Sequence, residues 1–258
     1  MSSIQVVSKD LHTYKYWRRS TGYQFTREDT LCPLVINEMP RALLSLPLAF
    51  FASDKRFVPV AVQGLSVKSN LLVTPEGDWR GGYIPAAYRA YPFSLATDES
   101  GRELLCVAAT SVVDSQGEGS ESFFAESGEL TPAVGEILAF QAEYSRNRKM
   151  TAHLCGLLSK HELIVPWSLS VESNTGRLNL DGIFRIDESR IGALSSEALC
   201  ELRDAGALAI VYCQLLSMQN ITKLRDLLEA SLKPVARSEK DFTLGLLQDS
   251  GTISFEGL

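Results

Sequence analysis

Thr131-Pro132 constrains the fold more than any other dipeptide in the chain. Threonine is a preferred helix N-cap residue, and proline is favoured at the first helical position, where its missing N–H is not needed. From about 133 toward 160, positions at helical spacing approximate an apolar face through Val134, Ile137, Leu138, Gln141, Tyr144, Arg148, Leu154, Leu157 and Leu158. The polar stretch 145–149 predicts that this helix is partly exposed or broken there. A helix of this length cannot belong to an all-β fold, so the flanking segments decide the class.

Those flanks read mainly as strands. Before the helix, 32–37 is a short apolar run begun by Pro33 and stopped by Pro40, and Pro47 ends a helical stretch ahead of a strand through Ala49, Phe50 and Phe51. The segment 57–65 is rich in β-branched residues, 70–74 predicts another strand entering a tight Pro75-Glu76-Gly77-Asp78 turn, and 104–110 predicts a further one. The glycine-rich segment 114–128 has no periodic apolar pattern and reads as a surface loop or lid. After the helix, 163–172 and 178–186 flank Asn174-Thr175-Gly176 as a hairpin. Ser195 then caps a helix that Gly206 ends, 207–218 reads as a helix hydrophobic on every side, and 223–232 as an amphipathic one.

The class is therefore α+β: a β-rich N-terminal half with an aromatic-rich irregular segment, a long central helix, a β-hairpin and C-terminal helices. The expected organisation is one compact domain over 1–258, with possible sub-halves 20–113 and 131–235. The tail 236–258 carries a possible hairpin of its own.

A formal net charge of -6 disfavours nucleic acid and anionic membranes as partners. The local exception is Lys15, Arg18 and Arg19 among Tyr14, Tyr16 and Trp17, expected to form a solvated N-terminal arm. No secretory pattern opens the chain, and the apolar stretch 205–218 is too short to span a bilayer. With five irregularly spaced cysteines and no Cys-x-x-Cys pair, these features predict reduced core thiols and a cytoplasmic location.

No catalytic or cofactor constellation stands out. The three histidines, His12, His153 and His161, sit in no nucleophile–base signature. His153 and His161 are about 12 Å apart along a helix, too far to share a metal. The glycines Gly77, Gly81, Gly82, Gly117 and Gly119 match no nucleotide fingerprint, so no cofactor is assigned.

The unusual segment is 70–93, where Trp79, Tyr83, Tyr88, Tyr91 and Phe93 alternate with Arg80, Arg89, Pro85 and Pro92, and Asn70 opens it. Rings and guanidinium groups together make the composition of binding hot spots and small-ligand pockets. The competing reading is an irregular core over which Arg89 stacks or pairs.

The run Tyr83-Ile84-Pro85-Ala86-Ala87-Tyr88-Arg89-Ala90-Tyr91-Pro92-Phe93, preceded by Asn70-Leu71-Leu72-Val73 and Gly77-Asp78-Trp79, resembles the bacterial SapC family. Upstream, Pro33-Leu34-Val35 with Glu38, Leu46-Pro47-Leu48-Ala49-Phe50 and Pro59-Val60-Ala61-Val62-Gln63-Gly64-Leu65 resemble its blocks. Downstream, Leu163-Ile164-Val165-Pro166-Trp167, Leu180-Asp181-Gly182-Ile183-Phe184-Arg185-Ile186-Asp187 and 209–224 do the same. The likeness covers about residues 20–230 and departs from the family pattern at Ala90, where a second arginine is usual, and beyond Pro234. It implies no agreed activity. The family label implies surface-layer involvement, and its usual neighbours in Gram-negative bacteria are TonB-dependent receptors, halogenase-like proteins and cupin-like proteins. That setting implies an accessory or adaptor role with a protein or peptide partner met at Asn70, Trp79, Tyr83, Tyr88, Arg89, Tyr91 and Phe93. Two alternatives remain: a small-molecule site or enzyme using the same cluster, with Glu38 or Asp78 as acid or base, and a surface-layer protein.

Overall fold

The computed structural model describes residues 3–54, 56–173 and 176–232. The first elements are β1 (Ile4–Val6), α1 (Lys9–His12), β2 (Tyr16–Arg18), β3 (Leu31–Pro33), α2 (Met39–Ala42), β4 (Leu48–Ser53) and β5 (Arg56–Val62). Then come α3 (Ala86–Arg89), β6 (Phe93–Thr97), β7 (Glu103–Ala108), β8 (Val112–Val113), β9 (Ser120–Ser122) and α4 (Pro132–Lys160). The chain continues through β10 (Ile164–Ser173), β11 (Gly176–Ile186), α5 (Glu188–Gly192), α6 (Ser196–Ala205), α7 (Leu208–Ser217) and α8 (Ile221–Leu232). The class is α+β.

An antiparallel sheet of order β10-β11-β4-β5-β3 forms the centre, and it draws strands from both sides of the long helix. The join is the pairing of Ile183 with Phe51 and of Phe184 with Phe50. Its side chains build the main core with Phe50, Leu48, Ala61, Val62, Ile186 and Leu158, all fully buried. Helices α4, α7 and α8 pack on this sheet. Two smaller sheets, β1-β7-β6 and β8-β2-β9, enclose a second core of Trp17, Phe93, Leu105, Val107, Phe123 and Val134.

Several local expectations change under tertiary contact. The segment around Trp17 is β2 rather than a solvated arm, because Trp17 packs edge-on against Phe93 at 4.8 Å and is 1% exposed. Pro40 lies in the first turn of α2 instead of stopping a strand. The segment 70–74 is not a strand. There the Asn70 side chain accepts the Leu72 N–H at 2.9 Å, and only Val73 and Trp79 make a β-bridge across the turn. That turn needs Gly77 at φ 100°, a conformation that a Cβ disfavours.

Helix α4 is continuous through 145–149 and partly exposed there, as expected: Arg146, Arg148 and Lys149 face solvent, while Ser145 and Asn147 are buried. The Thr131 hydroxyl makes no cap bond and donates instead to the Ser122 carbonyl at 2.9 Å. Ser195 does cap α6 by accepting the Ala198 N–H, and Gly206 ends it at φ 82°. In α7 one face stays open, with Tyr212 and Leu216 more than half exposed, because the helix lies against β4 and β11 on its other face. Cys200 is exposed while the other four cysteines are buried. The predicted turn at Asn174-Thr175 and the tail 236–258 lie outside the described residues.

Candidate functional site

Glu38 is the buried charge around which the aromatic segment is built. It ends a 3-10 turn over Ile36–Glu38, and its Oε1 accepts the Val35 N–H at 2.9 Å, the reach-back half of a capping box. Its Oε2 accepts the Ala86 N–H at 2.7 Å and the Tyr83 O–H at 3.0 Å. Burial raises the pKa of Glu38, opposed by these three donors and by the nearby Arg89. Tyr83 is pushed up to about 12, first by its own burial and then by the Glu38 charge.

Arg89, the last residue of α3, extends this chain of contacts to the surface. Its Nη2 donates to the Tyr83 hydroxyl at 3.2 Å, and its guanidinium carbon lies 5.8 Å from the Tyr83 ring centroid and 5.5 Å from that of Phe140 on α4. Among the described residues it makes no ion pair. It borders two cavities. One, of about 170 Å³, lies between Glu38, Arg41, Tyr83, Phe140 and Tyr144. The other, of about 260 Å³, lies beside Arg19, Tyr23, Tyr91 and Ile137.

Beneath them runs a polar network. Asn70 Nδ2 donates to the Thr26 carbonyl at 3.0 Å and to Gln63 Oε1 at 3.1 Å. The Tyr88 hydroxyl oxygen lies 2.8 Å from Gln63 Oε1 and 3.0 Å from Asp29 Oδ2. One hydroxyl proton satisfies only one of these acceptors. A proton on Asp29, whose pKa is raised chiefly by burial, would satisfy the second contact.

The residues singled out in the sequence thus occupy different environments. Asn70 and Tyr88 are buried in the network, and Tyr83 and Arg89 join Glu38. Trp79 is half-buried, donates its indole N–H to the Tyr83 carbonyl at 3.1 Å and packs against Tyr23 and Tyr88. Tyr91 stacks on Phe25 at 3.8 Å. Phe93 is 3% exposed in the second core. Asp78 is exposed and contributes backbone to the turn, where its carbonyl accepts the Thr74 N–H. None of the three histidines lines the two cavities.

Asp29, Gln63 and Phe140 complete the arrangement and had not been singled out as site residues. Gln63 carried a signal, an amide inside an otherwise apolar strand run. Asp29 and Phe140 carried none.

The SapC family model matches residues 7–224 of the chain, a range that includes the Glu38 turn, the 70–93 segment and the β10–β11 hairpin. The chain belongs to the SapC family. No curated protein and no solved structure matches it. Among the described residues, no helix of this SapC-family chain is long and apolar enough to cross a membrane.

Proposed function

We propose that this SapC-family chain is a cytoplasmic, non-catalytic accessory protein. It holds a carboxylate of a protein or peptide partner on Arg89, in a system linked to outer-membrane TonB-dependent uptake and halogenase-like or cupin-like proteins. The observation that carries the reading is the state of Arg89: exposed, held over two rings, and bonded to a neutral phenol instead of a carboxylate. A guanidinium so oriented has donors left for a bidentate acid. Burial of Tyr88, Phe93 and Asn70 leaves Arg89, Tyr83, Tyr91 and Trp79 as the candidate residues able to meet a partner.

The second reading, a small-molecule site with Glu38 as acid or base, draws on the 170 Å³ cavity and the raised pKa of Glu38. Against it, both carboxylate oxygens already accept protein donors, which suits a tie between the 35–38 turn and α3.

The test is affinity capture of the tagged chain from its own bacterium as wild type, Arg89→Ala and Arg203→Ala, with eluates read by native mass spectrometry. Arg203 gives the same charge change and is ion-paired to Asp204 on α6, away from both cavities beside Arg89. A protein lost only with Arg89→Ala supports the proposal. A small-molecule mass with no protein transfers the site to the second reading, and full retention by Arg89→Ala overturns the role of Arg89. Arg89→Ala itself is expected to lower stability by about 1–2 kcal/mol, through loss of the Tyr83 hydrogen bond and the two ring contacts, and to remain folded.

A further inference from the structure

The largest cavity described lies away from Arg89. It is a cleft of about 580 Å³ where β5, the start of β7, β6 and the segment after β3 meet the middle of α4. That volume falls within the range of small-ligand sites. Leu34, Phe57, Pro59 and Leu95 give it apolar walls. A pocket of about 150 Å³ beneath Ala90 and Gln141 shares Leu95, Tyr144, Ser145 and Arg148 with it, so the two border the same stretch of helix.

The charges of the cleft are unevenly satisfied. Lys149 pairs with Glu103 at 3.1 Å, and Ser145 also donates to Glu103, so that carboxylate is spoken for. The side chains of Arg56 and Arg148 make no ion pair or hydrogen bond among the described residues, although Arg148 acts on Glu103 at longer range. The Tyr144 hydroxyl likewise has no partner there, although burial pushes its pKa up and keeps it a neutral donor. Asp54 is the one unpaired carboxylate of the lining and is exposed. The unpaired lining therefore comprises two guanidinium groups, one phenol O–H and one carboxylate, beside apolar walls.

We infer that this cleft binds a small amphipathic carboxylate, its head on Arg56, Arg148 and the Tyr144 hydroxyl and its apolar body against Leu34, Phe57, Pro59 and Leu95. Guanidinium groups and a phenol direct donors at a carboxylate, and the apolar wall separates such a ligand from inorganic anions.

The test is titration of the full chain with octanoate, followed by ¹H–¹⁵N spectra. One saturable set of shifts is expected at the amides of Arg56, Phe57, Tyr144 and Arg148. Arg148→Ala and Arg56→Ala should each weaken binding about tenfold, the loss of one charge-assisted contact. Arg146→Ala, with the same charge change outside the cleft, should not. Ala152→Trp, at an exposed helix position lining the cleft, should abolish binding while leaving the urea midpoint near wild type. Shifts that never saturate, equal affinity for 1-octanol, or unchanged affinity in folded Arg148→Ala would each overturn the assignment. Equal affinity for inorganic phosphate would also overturn it, because the apolar wall would then play no part.

Discussion

The five-stranded sheet and the seam under α4 are both interior, yet they are built by opposite means. Around the sheet, Phe50, Leu48, Val62, Ile183 and Ile186 are 0–1% exposed and need no particular partner beyond close contact. In the seam, Glu38, Gln141, Asn147 and Thr151 are also buried, but each is held by hydrogen bonds of fixed direction. Apolar side chains slide until space is filled, whereas directed bonds hold groups apart. All four cavities described above border residues 137–152 of α4, on the polar side of this contrast. Stability is thus concentrated in the sheet, and room for ligands in the seam.

The contrast can be broken most forcefully in the sheet. Phe50→Ala is expected to lower the unfolding free energy by about 3–5 kcal/mol, the usual cost of a cavity in a packed core. Urea denaturation measures it, and a loss under about 1 kcal/mol would show that the sheet is not the stable half. Next comes Glu38→Ala, which leaves the Val35 and Ala86 N–H groups and the Tyr83 O–H without their acceptor. A loss of about 2–3 kcal/mol is expected from such unpaired donors. Glu38→Gln should recover only part of this, since an amide cannot accept at both ends. If Glu38→Ala proved neutral by thermal denaturation, the seam would not be held by its polar bonds.

The smallest effect sharpens the proton count at Tyr88. The folded-state pKa of Asp29 lies above its ordinary value, so between the two values the folded chain holds the extra proton. Stability contributed by this site therefore falls as pH rises through that window. A side-chain amide at this position would stand in for the protonated acid, so Asp29→Asn should be more stable than wild type at pH 7. The difference should vanish below the ordinary aspartate range. Urea midpoints at both pH values check it, and a variant less stable at pH 7 would place the hydroxyl proton on an ionised Asp29.

Much of the architecture was legible because its signals are local. Thr131-Pro132 marks the start of α4, the apolar runs mark β4, β5 and β7, and Ser195 with Gly206 brackets α6. Where a side chain bonds to its own backbone the signal misleads: Asn70 turns 70–74 away from a strand that its apolar content predicts. Trp17 misled for a different reason, since its burial depends on Phe93, far away in sequence.

Periodicity and turn chemistry in the chain thus determined the class and the long helix, while the residue strings resembling SapC blocks pointed to the family and to Glu38. The density of rings and arginines in 70–93 singled out Tyr83 and Arg89. Tertiary structure decided which of these meet, because Glu38 lies 45 residues from Tyr83 and 48 from Ala86. Gln214 makes the same point, for it interrupts an apolar stretch in sequence. In the fold it accepts the Ile186 N–H and donates to the Leu48 carbonyl, satisfying buried backbone groups of two sheet strands. Local propensity acts over a few residues, whereas the partner of a buried polar group is set by which strands and helices pack together.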